Sequence, residues 1–470
     1  MNLTYGLRAD FPIYFTDPVD NPFSRGLRLL DENDNPETVD QSKLPGAKPL
    51  FSPRIGFNWD VKGDRSTQVR GGSGIFTGRL PFVWVGNNIS NPGPNPNLPA
   101  YLRTGDINAM DPDFKWPQVW NTNLAIDHKL PWELLGTLEV IYGKDINAIF
   151  IRNANLRAPV RNLPAPDGRP YFGGAGNNKN DATGGGVYVI DNTSDGHLIN
   201  LTGQLRKNFE FGLNATVSYG FLESKNQLSS TEIAQFFWEF NPVKGDPNKP
   251  EVSFSEFGHK HRFVGGATYT KRWSDNLATH FGLYAEVAQG AASTAGARSR
   301  FSYTYAGDVN GDGVGGNDLI YIPRNASDIV FDPAFAPPAD QWAAFNAFIE
   351  QDKYLSSHRG QIAERNGGTN PWFTSLDLRV LQDLSFSVAG QRNTLQLSLD
   401  IFNVLNLISS DWGVREVANT AAKTPLVFTG QFDASGAPIF QFPGIAKKTY
   451  LDDASVISRW QLQLGARYSF

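Results

Sequence analysis

Apolar and polar residues alternate strictly along many long stretches of this chain. In FEFGLNATVSYGF, Phe209, Phe211, Leu213, Ala215, Val217, Tyr219 and Phe221 share one parity; Glu210, Gly212, Asn214, Thr216, Ser218 and Gly220 share the other. A period of two marks a strand with one apolar and one polar face. The same alternation runs through RIGFNWDV, VWNTNLAIDH, LLGTLEVIYG, LATHFGLYAEV and the terminal WQLQLGARYSF. It predicts twelve spanning strands, at about 2–14, 51–62, 65–77, 117–129, 134–147, 196–207, 209–222, 259–271, 276–290, 374–387, 393–408 and 457–470. Their lengths suit tilted strands that cross a bilayer in roughly 9–11 residues. Aromatic residues gather near the strand ends, as an interfacial girdle requires.

The links between these strands alternate in length. Short ones fall at KGDR (62–65), KLPW (129–132), KNF (207–209), RWSDN (272–276) and AGQRN (389–393). Long polar ones fall near 15–50, 78–116, 148–195, 223–257, 291–373 and 409–454. Tight turns at one end and long loops at the other are the arrangement of an antiparallel outer-membrane β-barrel. A soluble sandwich has no reason to keep its long loops together.

Composition agrees where it bears on the question. Aromatics make up 13% and charged residues 19%, and 46 glycines with 30 prolines disfavour a helical protein. The chain has no cysteine, which removes disulfides, thiolate catalysis and cysteine-ligated metals. A net charge of −5 leaves no basic footprint for nucleic acid. No run of eighteen apolar residues offers a spanning helix, and MNLTYGLRADF lacks the pattern of a signal peptide.

Several segments carry a family resemblance. STQVRGGSGIFTGRLPFVWV, FNPVKGDPNKPEVSFSEFGHKHRFVGGATY, GDVNGDGVGGNDLIYIPR, HRGQIAERNGGTNPWFTSLDLRV and LDIFNVLN resemble the C-terminal barrel of TonB-dependent receptors. The likeness is greatest to the Oar-like branch, whose precursors carry a carboxypeptidase-regulatory-like domain. It covers essentially residues 1–470, which read as the C-terminal portion of such a barrel. Barrels of this transporter class have 22 strands around a plugged lumen. By that comparison this is a fragment, with roughly ten N-terminal strands, the plug, the TonB box and the signal peptide lying outside it.

The resemblance implies an outer-membrane receptor of a Gram-negative bacterium, moving a large substrate by energy coupling. Its implied partners are outer-membrane lipid, the barrel-assembly machinery, the TonB complex through the missing N-terminal region, and an extracellular substrate. Trp460, Leu462, Leu464, Tyr468 and Phe470 resemble the terminal signal read by the assembly machinery. The alternatives are a passive porin-like channel, a surface adhesion or structural barrel, and a soluble calcium-stabilised carbohydrate-binding β protein.

Candidate chemistry is sparse. In GDVNGDGVGGNDL, Asp308, Asn310 and Asp312 occupy positions 1, 3 and 5 of a calcium-loop pattern, with Gly313 at the sharp turn. Val314 can offer its carbonyl and Asp318 a late carboxylate, although the twelfth position is Leu319 rather than Glu. No other cofactor is called for. The bland account is an Asx- and Gly-rich turn. GGSGIFTG (71–78) fails the phosphate-loop spacing at Thr77, so its glycines point to close backbone approach within a wall. His259 and His261 share a strand face but lack a third ligand. No catalytic motif is present, and the chain does not read as an enzyme. Charges on the polar strand faces, among them Arg70, Asp127, Glu139, Arg262, Glu286, Arg379 and Asp400, read as lumen residues neutralised across neighbouring strands. One short loop helix is expected in Ala339–Arg365, from the stripe Trp342, Phe345, Phe348 and Ile349. Phe172–Gly186, rich in Gly and Asn, reads as a mobile loop tip.

Overall fold

The computed structural model describes residues 1–470 apart from 229–232, 293–297 and 389. Parts of the expected loops 223–257 and 291–373, and the first residue of the expected turn at 389–393, therefore lie outside the described residues. The main sheet runs through twelve long strands, each hydrogen-bonded antiparallel to its neighbours in sequence. They are β1 (Asn2–Asp10), β2 (Leu50–Asp60), β3 (Thr67–Thr77), β4 (Gln118–Lys129), β5 (Leu135–Asn153), β6 (His197–Asn208), β7 (Leu213–Asn226), β8 (His261–Ser274), β9 (Leu277–Gln289), β10 (Trp372–Val388), β11 (Gln391–Phe402) and β12 (Gln461–Ser469). All twelve expected strands are present, with short turns at one end and long connections at the other.

β7 begins at Leu213 and ends at Asn226 rather than 209–222, and β12 begins at Gln461 rather than 457; three further boundaries also differ from expectation. β1 stops at Asp10 rather than near residue 14. β11 stops at Phe402, because Asn403 takes a left-handed conformation at φ 52° and starts a short helix, Val404–Ile408, where a longer strand was expected. β5 runs on to Asn153, where Phe150, Ile151, Arg152 and Asn153 are all buried. There it pairs with Val187–Thr193, which in turn pairs in parallel with Ile107–Met110. Burial on both faces erases alternation, so this extension is invisible to a period-two reading.

Apolar strand residues point outward and are left exposed. Leu138 is 65% exposed and Leu464 73%, values no soluble core residue shows. The register sets Leu124, Val140, Leu201 and Phe221 side by side across β4 to β7. Trp132, Phe211, Trp273 and Phe470 are exposed at the short-turn end, and Trp120, Trp372 and Trp460 at the other, giving two aromatic belts. Close strand approach in β3 depends on glycine: a Cβ on Gly71 would sit 2.8 Å from the Asn123 carbonyl and 2.9 Å from the Phe57 ring.

The buried core lies in the long connections instead of in the sheet. Its largest cluster joins Tyr303, Tyr305, Ile320, Phe345, Phe348, Leu426 and Phe440. A second joins Trp84, Ile151, Tyr188, Phe237 and Trp238. The expected helix forms over Pro338–Gln351, starting on Pro338 as its first residue, and it turns Phe345, Phe348 and Ile349 into this core. It does not continue to Arg365: Asp352 caps a separate helix, Lys353–Ser357, and residues 361–362 form a strand. The loops hold more helix than the single one expected, including Phe82–Ser90 and Ala234–Glu239. Phe172–Gly186 is also tied down rather than a free tip. Phe172 is buried, and Asp181 accepts hydrogen bonds from the Arg28 and Thr183 amides.

Candidate functional site

The sequence-predicted cation loop folds as a tight series of side-chain-to-backbone turns. Asp308 Oδ2 accepts from the Gly313 amide at 2.9 Å, Asn310 Oδ1 from the Asp312 amide at 3.0 Å, and Asp312 Oδ1 from the Val314 amide at 2.7 Å. Gly313 takes φ +94°, which a side chain rarely tolerates, so glycine is required at the turn. The other Asp312 oxygen accepts from Asn310 Nδ2 at 3.0 Å and Asn317 Nδ2 at 2.9 Å. Asp318, expected as a further ligand, has other partners: Arg169 Nη1 at 3.1 Å, and the amides of Val309 and Asn310.

This cluster is almost sealed, with Asn310, Asp312, Asn317 and Asp318 at most 1% exposed. Burial, reinforced by the Asp318 charge, pushes the Asp308 carboxyl up to about 6. Burial and the charges of Asp318 and Asp308 push Asp312 up to about 8. Asp318 is also raised, because its burial outweighs Arg169. Among the described residues, no three His, Asp or Glu side chains stand where one metal ion could take them all. Asn317 was not singled out in the sequence, because the loop pattern assigns no ligand to its position.

The loop is a junction of three other segments. Phe172 and Gly174 donate amides to the Asn310 and Gly311 carbonyls, and Arg169 reaches the Leu319 carbonyl at 2.7 Å. Val243 exchanges backbone hydrogen bonds with Asn317 and Leu319, and Asn310 Nδ2 donates to the Gly245 carbonyl. The Ala306 and Phe428 backbones are also bonded. Nearby, a cavity of about 1070 Å³ is lined by Arg298, Arg300, Arg365 and Lys423 against one carboxylate, Glu256. Burial lowers Arg300 and Lys423 and brings Arg365 down to about 10.

Several charges on the inner face of the wall lie against opposite charges one or two strands away. Arg70 contacts Asp127 at 3.1 Å and Glu139 at 3.4 Å, Arg262 contacts Glu286 at 2.7 Å, and Arg379 pairs with Asp400. The histidines on one strand face do not converge. His259 Nδ1 lies 3.0 Å from the Gln289 carbonyl and His261 Nδ1 2.8 Å from the Tyr219 hydroxyl. In β12, Leu462, Leu464 and Tyr468 face outward, with Trp460 just before the strand and Phe470 just after it. Tyr468 donates its hydroxyl to Asn393 Oδ1 at 2.6 Å.

The family model of the outer membrane beta barrel domain matches residues 1–422. The chain belongs to that family. As an outer-membrane barrel protein, it resides in the outer membrane of a Gram-negative bacterium. Among solved structures, the outer membrane transporter YddB from Escherichia coli aligns at 11% identity and TM-score 0.44, over 90% of this chain and 41% of that one. A mutant of the ferric enterobactin receptor PfeA from Pseudomonas aeruginosa aligns at 9% and 0.39, over 89% and 39%. The siderophore receptor PirA from Acinetobacter baumannii aligns at 10% and 0.35, over 77% and 38%. This outer-membrane barrel chain thus spans about two fifths of the length of each. No curated protein sequence matches it.

Proposed function

We propose that the chain is the C-terminal part of a TonB-dependent receptor barrel of the Oar-like branch, serving energy-coupled uptake or export of a large substrate. One observation carries the proposal most directly. A lipid-facing wall with a paired-charge inner face bears, at one end, a packed layer of long loops with its own core. A passive pore has little use for so much ordered structure there. The basic cavity gives that layer a place for an acidic group of the substrate.

The edges of the wall support the view that it is part of something larger. β1 pairs only with β2, and β12 only with β11, among the described residues. An open sheet edge in hydrocarbon leaves backbone groups unsatisfied at several kcal/mol each, so both edges require strand partners in the membrane. In this reading the coupling partner acts through a region outside this chain, and Trp460, Leu462, Leu464, Tyr468 and Phe470 are presented to the barrel-assembly machinery.

Planar-bilayer conductance of the complete gene product tests the proposal. A receptor should stay closed until its upstream plug region is deleted, and then conduct. A complete product that conducts at once, with no plug to remove, would be a porin-like channel and would overturn the receptor reading.

A further inference from the structure

Within the 307–319 loop, one buried group has no partner in the protein. Asn317 is 1% exposed and uses Nδ2 to reach Asp312, yet its Oδ1 accepts no hydrogen bond. A buried acceptor left unsatisfied costs about 1–3 kcal/mol. Asp308 Oδ1 is also buried without a hydrogen-bond partner. Asp312 Oδ2 meets only the two amide groups of Asn310 and Asn317. Arg169, the nearby cation, is committed to Asp318 and Asp167. Two buried oxygens of this loop, Asp308 Oδ1 and Asn317 Oδ1, therefore keep spare lone pairs, and no protein cation is paired with Asp312 among the described residues.

We propose that this loop binds one Ca²⁺ ion through Asp308 Oδ1, the Asp312 carboxylate and Asn317 Oδ1, with backbone carbonyls and water completing the shell. An all-oxygen set excludes the soft and imidazole-preferring metals. Ca²⁺ takes 6–8 oxygen ligands in flexible geometry, whereas Mg²⁺ demands a near-ideal octahedron and keeps its water. Asn317 takes the place that the sequence pattern gave to Asp318, whose oxygens are filled by Arg169 and two amides. Two carboxylates and one neutral amide make a weakly charged site, suited to the millimolar calcium met by extracellular modules. Because the loop joins segments near residues 172, 243 and 428, the ion fastens the loop layer together. This inference does not depend on the transport reading.

The test uses the complete gene product folded in detergent, stripped with EGTA and titrated with calcium chloride. Calorimetry should show one ion per chain with Kd of about 0.1–1 mM. Calcium at about ten times Kd should slow proteolytic cleavage within 307–319 about tenfold, and magnesium at the same concentration should not. Asp308→Asn and Asp312→Asn should each abolish both effects, while Asp433→Ala, in a separate exposed turn, should leave both intact. Asn317→Asp separates a ligand from a mere prop. It should tighten calcium binding if Oδ1 coordinates, and should weaken the loop at every calcium concentration if Asn317 only donates to Asp312. Absence of calcium binding to the unaltered chain overturns the proposal even if a variant fails to fold. So does binding that both aspartate variants retain.

Discussion

A single pair of neighbouring substitutions tests which face of the wall meets lipid. Leu201 lies near the middle of β6, level with Val140 on β5 and Phe221 on β7, and is 43% exposed on the outer face. An arginine at the bilayer midplane on a lipid face costs about 2–4 kcal/mol. At about 1.4 kcal/mol per factor of ten, Leu201→Arg should lower the folded-to-unfolded ratio roughly 30- to 900-fold. Thr202, one residue on, points to the opposite face and sits directly across from Glu139. An arginine there meets water and a carboxylate, so Thr202→Arg should cost at most about 1 kcal/mol. Reversible folding of the complete protein into phosphatidylcholine vesicles, titrated with urea and followed by tryptophan fluorescence, measures both. Equal costs, or a larger cost at position 202, would refute the assignment of faces.

Phe345→Ala removes the centre of the loop core and should cost that layer about 3–5 kcal/mol; protease should then cut the loops while the gel mobility of the folded wall is unchanged. Phe470→Ala should impair outer-membrane assembly of the complete protein, measured as surface-exposed folded barrel in cells; normal assembly would count against a role for the terminal residue. Asp181 is held below its usual range, at about 2, by the Thr183 hydroxyl and by the Arg28 and Thr183 amides. A depressed carboxyl stabilises the folded state above its unfolded value of 3.8, and that contribution is lost as pH falls toward 2. Pepsin should therefore release fragments of residues 154–186 increasingly between pH 4 and about 2, whereas Asp181→Ala should lose this pH dependence.

The wall was legible because its physics is local. Each strand declares itself by alternation, and loop length sorts the turns by end. β5 beyond Asn147 was not legible, since residues buried on both faces stop alternating. The loop layer escaped for another reason. Its defining contacts join residues far apart in sequence, such as Arg169 with Asp318 and Gln351 with Thr449. The helical stripe at Trp342–Ile349 showed that something would be buried, but it could not name Tyr305 or Phe440 as the partners. Of the proposed calcium ligands, Asp308 and Asp312 came from a loop pattern, whereas Asn317 depended on knowing which oxygens the fold had already filled.

Because the loops share one core, they cannot be exchanged one at a time. Transplanting residues 154–186 alone from a relative would remove Arg169 from Asp318 and leave a buried carboxylate uncompensated in a loop that had not been altered. Sequence change in this layer must therefore be concerted, with the segments near 160–180, 300–320 and 420–450 varying as a set. Anyone exchanging the loops of such a barrel should treat the whole crown as the unit of exchange and the wall beneath it as a fixed socket.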